Sequence, residues 1–266
     1  MISDTIKKEI KLKIFKRLWN IKGRFVYYGQ NVFFPKNSVI FQRAVTEGIY
    51  ESDNLRIINS LIKPNTEVFD IGANIGIMAI PFLEGHNDIK VISVEASPNT
   101  LPYLKKTQTA SAYADRWVII DKAVSDSEKV ITFNLADEAD GAYDSMLDTK
   151  RIAFTRSVEI DCTTIDTIWN QRNKPEVSFI KIDIEGGDLL ALKGGMECIK
   201  TCRPSILLEW NYINIKAFGL VNKDFFDFFQ SINYTCLAAP QLNKVTALNE
   251  LDLFSNLTEN FVLIPN

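Results

Sequence analysis

Histidine is almost missing from this sequence. Its 266 residues contain one, His86. A metal site built from two or three histidines is therefore excluded within one chain, and a histidine-based triad has a single place to form. No Gly-x-Ser-x-Gly segment is present to carry the nucleophile of such a triad. The four cysteines, Cys162, Cys198, Cys202 and Cys236, show neither Cys-x-x-Cys nor zinc-knuckle spacing and read as free thiols of a reducing compartment. No stretch reaches the roughly 18–20 uninterrupted apolar residues of a membrane span, and the first residues lack an apolar signal core, so the chain is expected to be soluble and cytoplasmic. Charge of one sign is lacking too. With 33 acidic against 30 basic residues the net charge is -3, which argues against a nucleic-acid partner held through its phosphates over the whole surface. What remains is 46% hydrophobic and 24% charged, the balance of one globular domain with a short extension.

Charge is uneven along the chain. Residues 1–24 carry Lys7, Lys8, Lys11, Lys13, Lys16, Arg17, Lys22 and Arg24 against Asp4 and Glu9, a sum of +6 that leaves -9 for the rest. Ile6, Ile10, Ile14 and Leu18 recur every four residues, so this stretch reads as a basic amphipathic helix within an N-terminal extension, residues 1–45. The expected role is to cap the domain with its cations toward water. The alternative is a peripheral contact with the inner face of an anionic membrane.

Residues 46–266 read as the main domain. From residue 66 onward short apolar runs alternate with helical patterns, the signature of a parallel sheet with crossover helices. Seven strands are expected, Glu67–Ile71, Lys90–Glu95, Trp117–Ile120, Ser178–Asp183, Ile206–Glu209, Thr235–Ala238 and Phe261–Ile264. Helices fit Ile75–Glu84, Pro98–Thr107, Gly187–Lys200 and Lys223–Ser231. About 57 residues separate the third and fourth strands, too many for a simple crossover. Val130–Leu135 and Ser157–Cys162 alternate as strands of a small β insertion, joined by a polar loop over 136–156 that is placed to cover an acceptor through Gly141–Met146.

The first strand runs into Asp70-Ile-Gly-Ala-Asn-Ile-Gly76. In an open α/β sheet the ligand crevice lies at the carboxyl ends of the strands, which puts the site here. A dinucleotide fingerprint needs glycine where Asn74 stands, and no Gly-x-x-x-x-Gly-Lys-Ser/Thr occurs, so a pyrophosphate is disfavoured. Asp70 would repel a phosphate but suits an ammonium. S-Adenosylmethionine, a nucleoside bearing an amino acid and a sulfonium, fits that charge, with the amides of Gly72, Ala73, Asn74 and Gly76 expected near its carboxylate. Glu95, 25 residues after Asp70 and followed by Ala96, ends the second strand, where a carboxylate accepts from both ribose hydroxyls. Asp121 at the end of the third strand is a candidate for the adenine amino group, and Glu47 and Tyr50 for the cofactor mouth.

In order along the chain, Asp70-Ile-Gly-Ala-Asn-Ile-Gly76, Val94-Glu-Ala-Ser-Pro-Asn99, Ala123-Val-Ser-Asp126, Phe179-Ile-Lys-Ile-Asp-Ile-Glu-Gly-Gly-Asp188, Leu192-Lys-Gly-Gly195 and Arg203-Pro-Ser-Ile-Leu-Leu-Glu209 resemble the FkbM-type S-adenosylmethionine-dependent methyltransferases. The resemblance covers residues 46–240 and implies a class I methyltransferase fold, a Rossmann-like, mostly parallel seven-stranded sheet with helices on both faces. It also implies O-methylation, commonly of a sugar or polyketide hydroxyl. Two positions depart from the family pattern. Ala96 stands where members more often have proline, and Pro81 falls inside the helix after the glycine turn, predicting a kink or early end.

Methyl transfer to a hydroxyl needs alignment and somewhere for the acceptor's proton to go. With one histidine, predicted to lie past the first helix, the burden falls on carboxylates. Asp183, Glu185 and Glu209, from the ends of adjacent strands, are the candidates, with Lys181, Asp183 and Glu185 on one side of the strand if it persists that far. The same carboxylates are also suited to Mg²⁺, with Asp183 and Glu209 as its ligands, a reading not favoured here. Two other classes stay open: a nicotinamide-dependent oxidoreductase, against which Asn74 and the lack of Tyr-x-x-x-Lys count, and a non-catalytic S-adenosylmethionine-binding scaffold. The acceptor and the oligomeric state are not legible.

Overall fold

The apolar runs expected as strands pair into one mixed sheet. The computed structural model describes residues 16–266. Its central strands are β3 (Glu67–Ile71), β4 (Lys90–Val94), β5 (Trp117–Ile120), β9 (Val177–Ile182), β10 (Ser205–Glu209), β11 (Tyr234–Ala238) and β13 (Asn260–Pro265). A short eighth strand, β12 (Asn243–Val245), joins at the edge, giving the order β12-β11-β13-β10-β9-β3-β4-β5. The sheet is not the seven-stranded one expected. Strands β5, β4, β3, β9 and β10 are parallel, but β13 runs antiparallel between β10 and β11, and β12 folds back on β11. Asn243–Val245 is too short for alternation to register, which is why only the pairing reveals it.

Every residue of β3 is buried, as a strand covered on both faces requires. Alternation then divides the core. Val68, Val91, Phe179 and Leu207 belong to one apolar cluster, and Phe69, Ile92, Ile180 and Ile206 to the other. The first of these clusters also takes in the N-terminal segment. Hairpin β1 (Arg24–Tyr27) and β2 (Gln30–Phe33) leads to α1 (Val39–Glu47) and α2 (Ser52–Leu61). Phe34 stacks on Phe41 at 3.9 Å, with Phe25 edge-on to both.

Two expected helices change shape. The one after the glycine turn starts late, as α3 (Ala79–Gly85). Pro81 is its third residue, where a missing amide costs no intrahelical bond, so it neither kinks nor ends the helix. Helix α4 (Leu101–Ala110) follows β4, and α5 (Ile165–Gln171) precedes β9. The helix expected over 187–200 is broken at Gly194–Gly195 into α6 (Asp188–Lys193) and α7 (Met196–Cys202). Further on come α8 (Tyr212–Ala217), α9 (Asn222–Ser231) and α10 (Leu248–Phe254). The insertion forms a separate sheet of β6 (Ala123–Val124), β7 (Lys129–Leu135) and β8 (Arg156–Thr163), ordered β6-β8-β7.

Candidate active site

The carboxyl ends of β3, β4, β9 and β10 open into one cleft. Asp70, Gly72, Ala73, Asn74, Glu95, Ala96, Asp183, Glu185 and Glu209 all line it, so the topology gathers most of the residues expected from sequence.

On one side of the cleft, Asp70 pairs in register with Lys181 of β9. It is completely buried, and neither carboxylate oxygen makes a well-formed hydrogen bond, the Ser93 hydroxyl offering only a weak one. Burial pushes this carboxyl up to about 6 against the pull of Lys181. An under-satisfied buried carboxylate facing a cavity is costly unless a ligand completes it, and an ammonium is the complementary group. Glu95 is held rigidly, its oxygens accepting from the amides of Asn74 and Ser97 at 2.7 Å each. Burial pushes it up to about 7 despite these bonds. Each oxygen keeps a lone pair, enough to accept from a ribose hydroxyl.

The glycine turn works differently from its sequence reading. The Gly72 and Ala73 amides donate to Val94 O, Gly76 N donates to Ala73 O, and Ile75 N to the Asn74 side chain. No cradle of free turn amides awaits a ligand carboxylate. The two glycines serve close packing at positive φ: a Cβ on Gly72 would overlap the Asp183 carbonyl, and one on Gly76 would meet Trp117 at 2.6 Å. Gly76 therefore lies behind the turn, outside the cleft wall. Two more expected residues also fall outside it. Asp121 is exposed and paired with Lys105, and Glu47 is exposed and paired with Arg43, each turned to solvent by its ion pair. Tyr50 does line the cleft.

On the other side, Asp183, Glu185 and Glu209 bring ligand oxygens within 4.8 Å of one another. Strand β9 ends at Ile182, so alternation does not carry Glu185 there. It arrives through a left-handed backbone at φ 55° in the turn before α6. Glu185 accepts from Arg151 at 2.9 Å and from Asn214 at 2.8 Å, and Asn214 reaches Glu209 at 3.3 Å. Burial, then the Asp183 charge, pushes Glu185 up to about 7, and burial with both neighbouring charges holds Glu209 well above the usual carboxylate range. Lys181 donates to Asp183 at 3.2 Å. Burial alone would lower this amine, but Asp183 and Asp70 hold it above its ordinary value and so protonated.

Several functional positions escaped the sequence reading. Arg151, stacked on Tyr143 at 5.1 Å, comes from the insertion loop, and Glu259 lies just before β13. Asp144 ties that loop to the turn after β4, accepting from Ser97 Oγ at 2.5 Å, Asn99 Nδ2 at 3.0 Å and Ala136 N at 2.6 Å. Burial pushes it up to about 6. Position within the covering Gly141–Met146 loop was the available signal, and all of that loop except Ser145 lines the cleft. His86 follows α3 and is not part of the cleft.

The sheet order and a cleft at the strand ends define the class, a methyltransferase-like α/β protein. The Methyltransferase FkbM domain matches residues 70–236, and the chain belongs to this FkbM methyltransferase family. Membership implies use of S-adenosylmethionine, and the Asp70 and Glu95 side of the cleft suits its ammonium and ribose. Among solved structures, a methyltransferase FkbM from Methylobacillus flagellatus KT is similar at 15% identity and TM-score 0.48, over 97% of this chain and 60% of that one. A caffeoyl-CoA O-methyltransferase candidate from Staphylococcus aureus is similar at 12% identity and TM-score 0.50, over 97% of this chain and all of that one (100%). The ribosomal RNA small subunit methyltransferase G of Mycoplasmopsis pulmonis is 33% identical over 67 residues, 25% of this chain and 29% of its own length. Family membership sets aside the nicotinamide-dependent alternative.

Proposed function

We propose that the protein is an O-methyltransferase acting on a hydroxyl of a sugar, glycan or natural product. S-Adenosylmethionine, when bound, supplies a methyl group on a sulfonium, an electrophile with a neutral leaving group. Asp70 receives the ammonium and Glu95 the ribose hydroxyls, while Val94, Ala96, Val124 and Phe133 offer an apolar wall for the base. The acceptor's hydroxyl then meets Asp183, Glu185 and Glu209.

The convergence of these three carboxylates is the observation that carries the reading. An alcohol becomes a competent nucleophile when a base with a pKa near the working pH stands within hydrogen-bond reach. Burial and like-charged neighbours make Glu209 more basic than an ordinary carboxylate, and Asp183 orients the hydroxyl. Arg151 and Asn214 hold Glu185 in place. Lys181 and Arg151 compensate the charge of Asp183 and Glu185, a task that a divalent cation would otherwise perform, so turnover is expected to survive a chelator.

The test is transfer of labelled methyl to a panel of hydroxylated acceptors. Asp183→Asn and Glu209→Gln should each lower transfer at least about tenfold while leaving affinity for S-adenosylhomocysteine nearly unchanged. Full activity in both variants removes these residues from the mechanism. Tight cofactor binding without transfer to any acceptor favours the non-catalytic binding role.

A further inference from the structure

Residues 16–22 are helical and enter the β1–β2 hairpin through Gly23. They hold to the domain by one side. Lys16 Nζ donates to Thr46 Oγ1 at 2.6 Å, Trp19 packs on Phe25 with ring centroids 6.3 Å apart, and Asn20 exchanges two 2.7 Å hydrogen bonds with Asn37. Positions 16, 19 and 20 share one helix face. The other side carries Leu18, 47% exposed, and Ile21, 74% exposed, beside exposed Arg17 and Lys22. Strand β1 continues the pattern. It turns Phe25 and Tyr27 inward and leaves Arg24 exposed with Val26, 62% exposed.

A capping helix buries its apolar side chains and shows its polar ones. The described part of this helix anchors through Lys16, Trp19 and Asn20, while Leu18, the last member of the four-residue apolar spacing, faces out. Ile6, Ile10 and Ile14 lie outside the described residues.

We propose that this face docks the protein on an anionic lipid surface, with Leu18, Ile21 and Val26 entering the interface and Arg17, Lys22 and Arg24 meeting lipid phosphates. Charge complementarity selects this occupant. The first 24 residues sum to +6 and the rest to -9, so an anionic surface attracts this end, repels the body and sets the orientation. A second copy would bring a like-charged face against it. Apolar side chains flanked by several cations are the combination that interfacial anchoring uses. Helix α1, which carries Thr46, also gives Val39, Ile40 and Arg43 to the cleft wall, so docking brings the surface toward that wall.

The test is sedimentation of the 266-residue chain with vesicles of phosphatidylcholine alone or with about a third phosphatidylglycerol, at low and high salt. Binding should appear with the anionic vesicles only and weaken with salt. It should fall at least about tenfold both in a Leu18→Asp, Ile21→Asp variant and in an Arg17→Glu, Lys22→Glu variant, with unchanged thermal melting showing each folded. The proposal is overturned by no binding to anionic vesicles, by equal binding to neutral ones, or by binding that either folded variant retains in full. A dimer that the Leu18→Asp, Ile21→Asp variant dissolves would assign the face to a second copy and overturn it equally.

Discussion

At the residue scale, Asp70, Glu95, Glu185 and Glu209 are held above ordinary carboxyl acidity, chiefly by burial. Asp188 is raised further than Asp70, Glu95 and Glu185. It is fully buried at the start of α6, one oxygen accepting from Gly186 N at 3.2 Å and the other unpartnered, and burial followed by the Asp183 charge pushes it up to about 8. A carboxyl whose folded pKa exceeds its unfolded value favours the native state fully at low pH. That stability drains away as pH rises from the unfolded value of roughly 4 toward about 8. Asparagine keeps an acceptor for Gly186 N and cannot ionise. Asp188→Asn should therefore gain thermal stability relative to the parent between pH 5 and pH 8, by up to about 4 kcal/mol, or roughly 10 °C in a chain of this size. Melting curves at the two pH values check this, and an unchanged difference would mean that Asp188 carries no such penalty.

At the element scale, the Asp144 latch joins the insertion loop to the turn after β4. Asp144→Ala leaves Ser97, Asn99 and Ala136 without their shared acceptor and frees the segment that positions Glu95. A loss of about 2 kcal/mol in stability is expected, together with roughly tenfold weaker binding of S-adenosylhomocysteine, measured by calorimetry. Stability lost with affinity intact would make the latch purely structural. This latch also marks where the sequence stops being readable. Asp70, Glu95, Asp183 and Glu209 could be placed because strand ends in an open α/β sheet share one edge, and buried strands announce themselves as apolar runs. Asp144 and Arg151 sit in a polar loop whose path depends on contacts with distant residues, and no local pattern encodes those. Helices α5, α8 and α10, of 6 or 7 residues each, are too short for a 3.6-residue period to stand out. The glycine turn was recognised as a site marker. Its mechanism was not, because whether an amide faces a ligand or Val94 O depends on how closely β3 and β4 approach.

Across the whole molecule, charge is arranged in three zones. A basic end presents apolar side chains outward, an acidic body surrounds the cleft, and within the cleft carboxylates face one another with Lys181, Arg151 and Arg43 interspersed. S-Adenosylmethionine is a net cation, and its arrival would offset part of the burial and repulsion that raise these acids. Binding should therefore be linked to proton release. Asp70 must be ionised to receive an ammonium, so affinity should fall as pH drops below about 6, by about tenfold per pH unit for that one group.

Calorimetric titration of S-adenosylhomocysteine, which keeps the ammonium, into the parent protein and Asp70→Asn at pH 5 to pH 8 tests this linkage most directly. The parent should bind at pH 8 and weaken steeply below about pH 6, while Asp70→Asn should bind at least about tenfold more weakly at pH 8 and show a shallower dependence. Equal binding by the two proteins across that range, or no binding by the parent, would contradict the assignment of this cleft.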